Sequence, residues 1–326
     1  MANDGDWTVV YPDAGDDAAE IVVGERLERL QRLGKFELHF RRAETDEVYL
    51  ERVVDADAIL LGWDLPADVM RQCKNLKVVS FTGIGADKFV DMEVASEQGV
   101  TVCNCPGYSD NTVAEHALAL TLAVARQIGS VERELRAGRW SPSMGVELRG
   151  KVLGLIGFGG IGQRFAALAK ALGMRVVAWT RNPDDNRAQQ HGVEFVALDD
   201  LLSSSDVVSL HLASNAQTAG FLDVSRIEKI KSDAILINTA RGEVVDEQAL
   251  AGALKSGALR GAGIDVFQQE PLPADHVFIG LDNVVITPHI GYATPEAEES
   301  LFDIGIDNIL QYANGTPINV VGGPGG

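Results

Sequence analysis

An apolar run, a cluster of glycines and a helix-forming stretch follow one another without interruption over residues 152–172, and few folds accommodate that order. The run Val152-Leu153-Gly154-Leu155-Ile156 leads straight into Gly157-Phe158-Gly159-Gly160-Ile161-Gly162, and Gln163 opens the helical stretch. With 34 glycines in 326 residues, a G-x-G-x-x-G pattern alone would carry little weight, so the flanks decide. In that setting Gly157 makes a tight turn, Gly159 lets the backbone approach a pyrophosphate, and Gly162 lets the helix pack closely on the strand. Gly160 and Ile161 complete the cofactor-binding loop, and the free N–H groups of the helix that follows receive the phosphates.

The same alternation of strand and helix runs through the chain. Short β-rich runs are expected at residues 8–10, 36–40, 58–61, 78–81 and 100–103, with helical stretches at 25–33, 67–73 and 90–98. A second series follows, with strands at 152–156, 175–179, 207–210, 234–238, 261–265 and 284–287. This is an α/β chain of two doubly wound parallel-sheet domains, as its length also suggests. Between the two series, residues 112–136 are rich in Ala and Leu and predict one long helix closed by Gly138. From Tyr292 a last helix is expected, then a Gly-rich tail, residues 322–326, expected to be disordered.

Composition removes several function classes. No apolar run reaches the roughly 18 residues that cross a bilayer, and residues 1–6 are polar and acidic, unlike a secretory leader. The cytoplasm is the expected compartment, with no membrane partner. Cys73, Cys103 and Cys105 leave one over in any pairing, and Cys103-Asn104-Cys105 lacks a second ligand pair for zinc, so reduced thiols and no metal are expected. A net charge of -19 repels a nucleic-acid backbone, and its plain meaning is solubility, in keeping with a salty cytoplasm.

Cofactor selectivity is read where the second strand of a dinucleotide fold ends. A carboxylate there grips the adenine ribose of NAD, but here Trp179 is followed by Thr180 and Arg181. A guanidinium pairs with the 2′-phosphate of NADP that an acid would repel, so NADP is preferred, with NAD possible if Arg181 stacks on adenine instead.

Three later segments each follow a predicted strand with polar groups: Asn238-Thr239-Ala240-Arg241-Gly242, the stretch from Asp265 to Glu270-Pro271, and Thr287-Pro288-His289-Ile290-Gly291. Ligands of open parallel sheets sit beyond the carboxyl ends of strands, so these belong to one crevice. Arg241 can hold a substrate carboxylate by two parallel bonds and polarise the adjacent carbonyl. His289 can give a proton to the carbonyl oxygen, and Glu270 beside it would favour the imidazolium. The remaining histidines read as structural: His39, His191 and His276 as surface or packing residues, His116 in helix packing, and His211 as packing or cofactor wall.

On these ordered motifs the chain resembles the D-2-hydroxyacid dehydrogenase family over nearly its whole length. The resemblance implies a Rossmann cofactor domain, residues 105–291, inserted in a smaller flavodoxin-like substrate domain, residues 1–104 and 292–326. It implies Arg241 as the substrate-binding arginine, Glu270 and His289 as the acid/base pair, and Asp265 as a contact to the nicotinamide carboxamide, with Thr239 also on the cofactor side. The family's substrate loop corresponds to Thr82-Gly83-Ile84-Gly85-Ala86-Asp87, where the Ile84 and Gly85 N–H groups are expected to cradle a carboxylate. Asn104-Cys105-Pro106-Gly107-Tyr108-Ser109 and the following residues 112–116 look like the hinge of glyoxylate and hydroxypyruvate reductases. A small 2-keto or D-2-hydroxy acid is therefore the implied substrate, and a homodimer built around the Trp140 segment the implied assembly. One departure is Ala213, where the family usually has proline. Related 3-phosphoglycerate and phosphite dehydrogenases, and dinucleotide-sensing corepressors of the same fold, are the competing readings. Formate enzymes carry Gln where Glu270 stands.

Overall fold

Runs rich in Val, Ile and Leu form short strands buried on both faces, as parallel sheets covered by helices require. The structure, a computed structural model, describes residues 7–16 and 18–324. The acidic start, residues 1–6, lies outside the described residues. Chain contacts divide the molecule into two units, Met1–Tyr108 with Thr294–Gly326, and Ser109–Ala293.

In the first unit β1 (Trp7–Ala14), β2 (Gly34–Phe40), β3 (Ala58–Leu61), β4 (Val78–Phe81) and β5 (Thr101–Cys103) are parallel, in the order β5-β4-β3-β1-β2. This is the doubly wound order of flavodoxin-like sheets. Helix Pro295–Ala313 covers one face, setting Phe302, Ile306 and Ile309 against Val9, Leu60 and Val78. Tyr49, Val53, Met70 and Val94 cover the other. Buried Asn308 ties the carboxyl-terminal helix to the sheet, donating to Ser80 Oγ at 3.1 Å and the Asn104 carbonyl at 2.9 Å.

The expectation of a disordered tail over 322–326 fails at Gly322, the last residue of an antiparallel edge strand, Val320–Gly322, on β5. Composition argued for disorder because glycines bury little apolar surface. Here the backbone pairs with a sheet edge, and the missing side chains permit close approach: a Cβ on Gly323, at φ +89°, would run into the Val100 carbonyl. Residues 325–326 lie outside the described residues.

The second unit carries β6 (Val152–Ile156), β7 (Arg175–Trp179), β8 (Glu194–Phe195), β9 (Val207–Leu210), β10 (Ile235–Asn238), β11 (Gly261–Ile264) and β12 (Val284–Ile286), all parallel. Their order, β12-β11-β10-β9-β6-β7-β8, reverses direction between β6 and β9, the switch point where dinucleotide folds bind ligand. The two-residue strand β8 has no sequence signature of its own.

The single long helix expected over 112–136 is instead two, Asp110–Ala125 and Ile128–Arg136, parted by Gln127 at φ +55°. The Val146 N–H takes the Ala125 carbonyl at 2.8 Å, and a Cβ on Gly145 would stand only 2.6 Å from that oxygen. A distant strand of chain thus captures a carbonyl that a continuous helix would use. Gly138, at φ +78°, does close the second helix. Among the described residues no helix is long and apolar enough to cross a membrane.

Candidate active site

The glycine loop follows β6 at the switch point. Gly157 turns at φ +97°, a conformation that a side chain would strain, and a Cβ there would meet the His211 carbonyl. Gly162 faces the Gly157 carbonyl, which a Cβ would approach to 2.8 Å, so helix Gly160–Ala171 packs directly under the turn. Among the described residues nothing lies within 4 Å of where a Cβ on Gly159 would stand. At Gly160 the Cβ position is taken by the carboxylate of Asp110, a neighbour that sequence reasoning missed. Burial raises the Asp110 pKa, partly offset by Arg164. His211 lines the underside: its Nε2 lies 2.9 Å from Ser209 Oγ, and burial pushes its imidazole down to about 4.

At the end of β7, Thr180 is half-buried and Arg181 exposed. Among the described residues Arg181 has no ion-pair partner. The nearby carboxylate of Asp184 is already committed, accepting from the Asn186 and Arg187 N–H groups at 2.8 and 3.2 Å as the cap of helix Asp185–His191.

Beyond β10, Asn238 shapes the next turn by accepting the Ala240 N–H at 3.1 Å and donating to the Arg241 carbonyl at 3.0 Å. Arg241 bonds only the Ala240 carbonyl, at 2.7 Å, and among the described residues faces no carboxylate within ion-pair distance. Its guanidinium retains a free fork. The Thr239 hydroxyl is buried and has no partner among the described residues. An orphaned hydroxyl in this crevice, with the open space at Gly159, fits a dinucleotide held along Gly157–Gly162 and Thr239.

Asp265 follows β11, is almost fully buried, and organises the segment carrying His289. Its carboxylate accepts from Thr287 Oγ1 at 2.6 Å, the Ile290 N–H at 2.9 Å and the Gly291 N–H at 2.8 Å, while His116 Nε2 lies 3.3 Å away. Burial raises its pKa, but those hydrogen bonds, His116 and Thr287 foremost, outweigh burial and leave it below the usual carboxylate range. A contact from Asp265 to a carboxamide would have to share an oxygen already in use. His116, expected in helix packing, instead reaches this cluster, with Nε2 3.0 Å from Thr287 Oγ1.

His289 sits at φ +54°, its N–H donating to the Asp265 carbonyl at 2.8 Å. Its Nδ1 lies 2.7 Å from Glu270 Oε2, and Glu270 Oε1 accepts the Phe267 N–H at 2.9 Å. Both side chains are 36% exposed, and among the described residues His289 Nε2 has no hydrogen-bond partner. The structure therefore brings Glu270 and His289 together and leaves Arg241 with spare donors. Ile84 and Gly85 belong to the other unit, where they follow β4; among the described residues neither N–H donates a hydrogen bond.

Residues 118–291 match the family model described as D-isomer specific 2-hydroxyacid dehydrogenase, NAD binding domain. A hydroxypyruvate reductase from Blautia hydrogenotrophica is 35% identical over 304 residues, covering 90% of this chain and 93% of its own length. A D-3-phosphoglycerate dehydrogenase from Archaeoglobus fulgidus is 37% identical, but the matched part is 92% of this chain and only 57% of that protein. Among solved structures, an acyclic imino acid reductase in complex with NADPH and D-Arg superposes with a TM-score of 0.83 at 31% identity, covering 96% of this chain and 99% of its own.

Proposed function

Because the chain belongs to the D-isomer specific 2-hydroxyacid dehydrogenase family, and so is an NAD(P)-dependent oxidoreductase of 2-hydroxy and 2-keto acids, we propose that it reduces a small keto acid of the glyoxylate or hydroxypyruvate kind. The 2.7 Å pair of His289 and Glu270 carries this reading. Nδ1 is occupied by the carboxylate, so Nε2 is the nitrogen that delivers a proton to the substrate oxygen. Arg241 binds the substrate carboxylate with its free fork and draws electron density from the neighbouring carbonyl. A bound nicotinamide dinucleotide supplies the hydride. Thr239 and the Gly157–Gly162 loop hold it, while Asp265 keeps the His289 segment in place.

NADP is the preferred dinucleotide in this reading, because among the described residues Arg181 has no ion-pair partner and Asp184 is spent on a helix cap. NADPH bound to a structural relative agrees with that preference. In the first unit, the undonated N–H groups of Ile84 and Gly85 suit a substrate carboxylate, so that unit serves as the substrate domain.

A homodimer is supported by the apolar face of helix Ile128–Arg136, on which Ile128 and Leu135 are exposed, and by Trp140 and Met144, 86% and 90% exposed. Three buried cysteines suit a reducing cytoplasm, and the net charge of -19 gives no footing for nucleic acid. The test is a panel of 2-keto acids assayed with NADH and with NADPH. Reduction of glyoxylate or hydroxypyruvate well above the rest is expected, and a flat or absent response to both would refute the substrate class.

A further inference from the structure

The Phe267–Gln268 peptide lies where three parts of the site meet. The Phe267 N–H, on the preceding peptide, donates to Glu270 Oε1. The Phe267 carbonyl presses on Gly242, next to Arg241, so closely that a Cβ on Gly242 would collide with it. The Gln268 N–H donates at 2.9 Å to Oε1 of Glu247, a carboxylate 9% exposed at the start of helix Glu247–Lys255. Glu247 Oε2 is in turn 3.1 Å from His276 Nε2, whose ring packs between Phe267 and Phe278. Gln268 Nε2 closes the ring on the Val245 carbonyl at 2.7 Å.

We infer that Glu247 is a positioning residue of the active site, fixing through the Phe267–Gln268 peptide the placement of Arg241 relative to the Glu270–His289 pair. The inference rests on the roles proposed for those three residues. A buried carboxylate is costly to keep unless its partners are fixed, and each oxygen of Glu247 has one. Neither partner belongs to its own helix. Both belong to the loop that carries Glu270, so what the carboxylate holds is that loop. Without it the peptide can shift, and both neighbours shift with it: Arg241 through Gly242, and Glu270 through the Phe267 N–H.

The test compares Glu247→Gln with Glu247→Ala, using glyoxylate as probe substrate. The amide oxygen of Gln can still accept the Gln268 N–H, so Glu247→Gln should stay close to wild type. Glu247→Ala should raise KM and lower kcat for the keto acid, each by roughly tenfold, as expected for a shift well below 1 Å. The Kd for NADPH, read by fluorescence, should stay unchanged. If Glu247→Ala does not fold, His276→Phe keeps the aromatic packing and removes one bond, and should move KM and kcat in the same directions by a few-fold.

A Glu247→Ala enzyme with only a lower Tm, its KM and kcat unmoved, would overturn the inference, as would Glu247→Gln being as defective as Ala. His289→Asn separates this failure from that of the underlying reading. If His289→Asn stays active the roles themselves fail, whereas if it is inactive and Glu247→Ala is normal only the positioning role fails.

Discussion

Glu270 divides its carboxylate between His289 and the backbone: Oε2 lies 2.7 Å from His289 Nδ1 and Oε1 accepts the Phe267 N–H at 2.9 Å. The carboxylate thereby occupies Nδ1 and leaves Nε2 without a partner among the described residues. His289→Asn should cut turnover by about 100- to 10,000-fold, the usual effect of losing a general acid, with NADPH binding preserved. Glu270→Gln should lower turnover by a smaller factor, about tenfold, with NADPH binding preserved, since a neutral amide holds His289 Nδ1 less firmly than the carboxylate does. Near-normal turnover in either variant would remove the acid/base assignment.

Arg241→Lys keeps the charge and loses the two parallel bonds that orient the carbonyl. KM for the keto acid should rise and kcat fall together, with kcat/KM lower by about 100-fold. A variant altered only in its Kd for dinucleotide would place Arg241 in the cofactor site.

Arg181 has no ion-pair partner among the described residues, and a phosphate is its natural one. A partly exposed charge-assisted contact is worth a few kcal/mol at most, so NADPH should be favoured over NADH by roughly tenfold to several hundredfold, less in high salt. Arg181→Ala should impair NADPH use alone, and adding Thr180→Asp should invert the preference. Equal loss with both cofactors would mean that Arg181 stacks on adenine.

The Asp110 carboxylate stands at Gly160, on the turn where a diphosphate is expected. Two anions compete for one helix N-terminus, so Asp110→Asn should tighten dinucleotide binding, by about three- to tenfold after solvent screening. Burial raises the Asp110 pKa, with Arg164 opposing, so the wild-type Kd should fall as pH is lowered and the carboxyl protonates, while the variant stays flat. Weaker binding in the variant would show that Asp110 assists the cofactor instead.

In the first unit Asp13 is 2% exposed and accepts the Gly62 and Trp63 N–H groups at 3.0 and 2.8 Å. Burial, only partly offset by those bonds, lifts its pKa from 3.8 to about 6. A raised carboxyl pKa contributes stability that is full below pH 3.8 and lost as pH rises through 6. Relative to Asp13→Asn, the wild type should therefore be more stable at pH 5 than at pH 8, by roughly 1 to 1.5 kcal/mol. Denaturant titrations at the two pH values check it, and a difference of opposite sign would rule it out.

What the sequence determined by itself was whatever is encoded over a few neighbouring residues. Apolar runs of strand length, the glycines after β6 and the polar residues just past β10, β11 and β12 were all legible, because strand period, turn geometry and residue type are local properties. In a doubly wound sheet those strand ends converge, so the chemical residues could be named before their distances were known. Tertiary structure alone decided the rest. His116 meets Thr287 across 171 positions of sequence, Glu247 meets His276 across 29, and Asp110 occupies the space beside Gly160 that a side chain would need. The break at Gln127 and the edge strand Val320–Gly322 have the same origin: each depends on a carbonyl or a sheet edge offered by distant chain, and local propensity contains no record of such a partner.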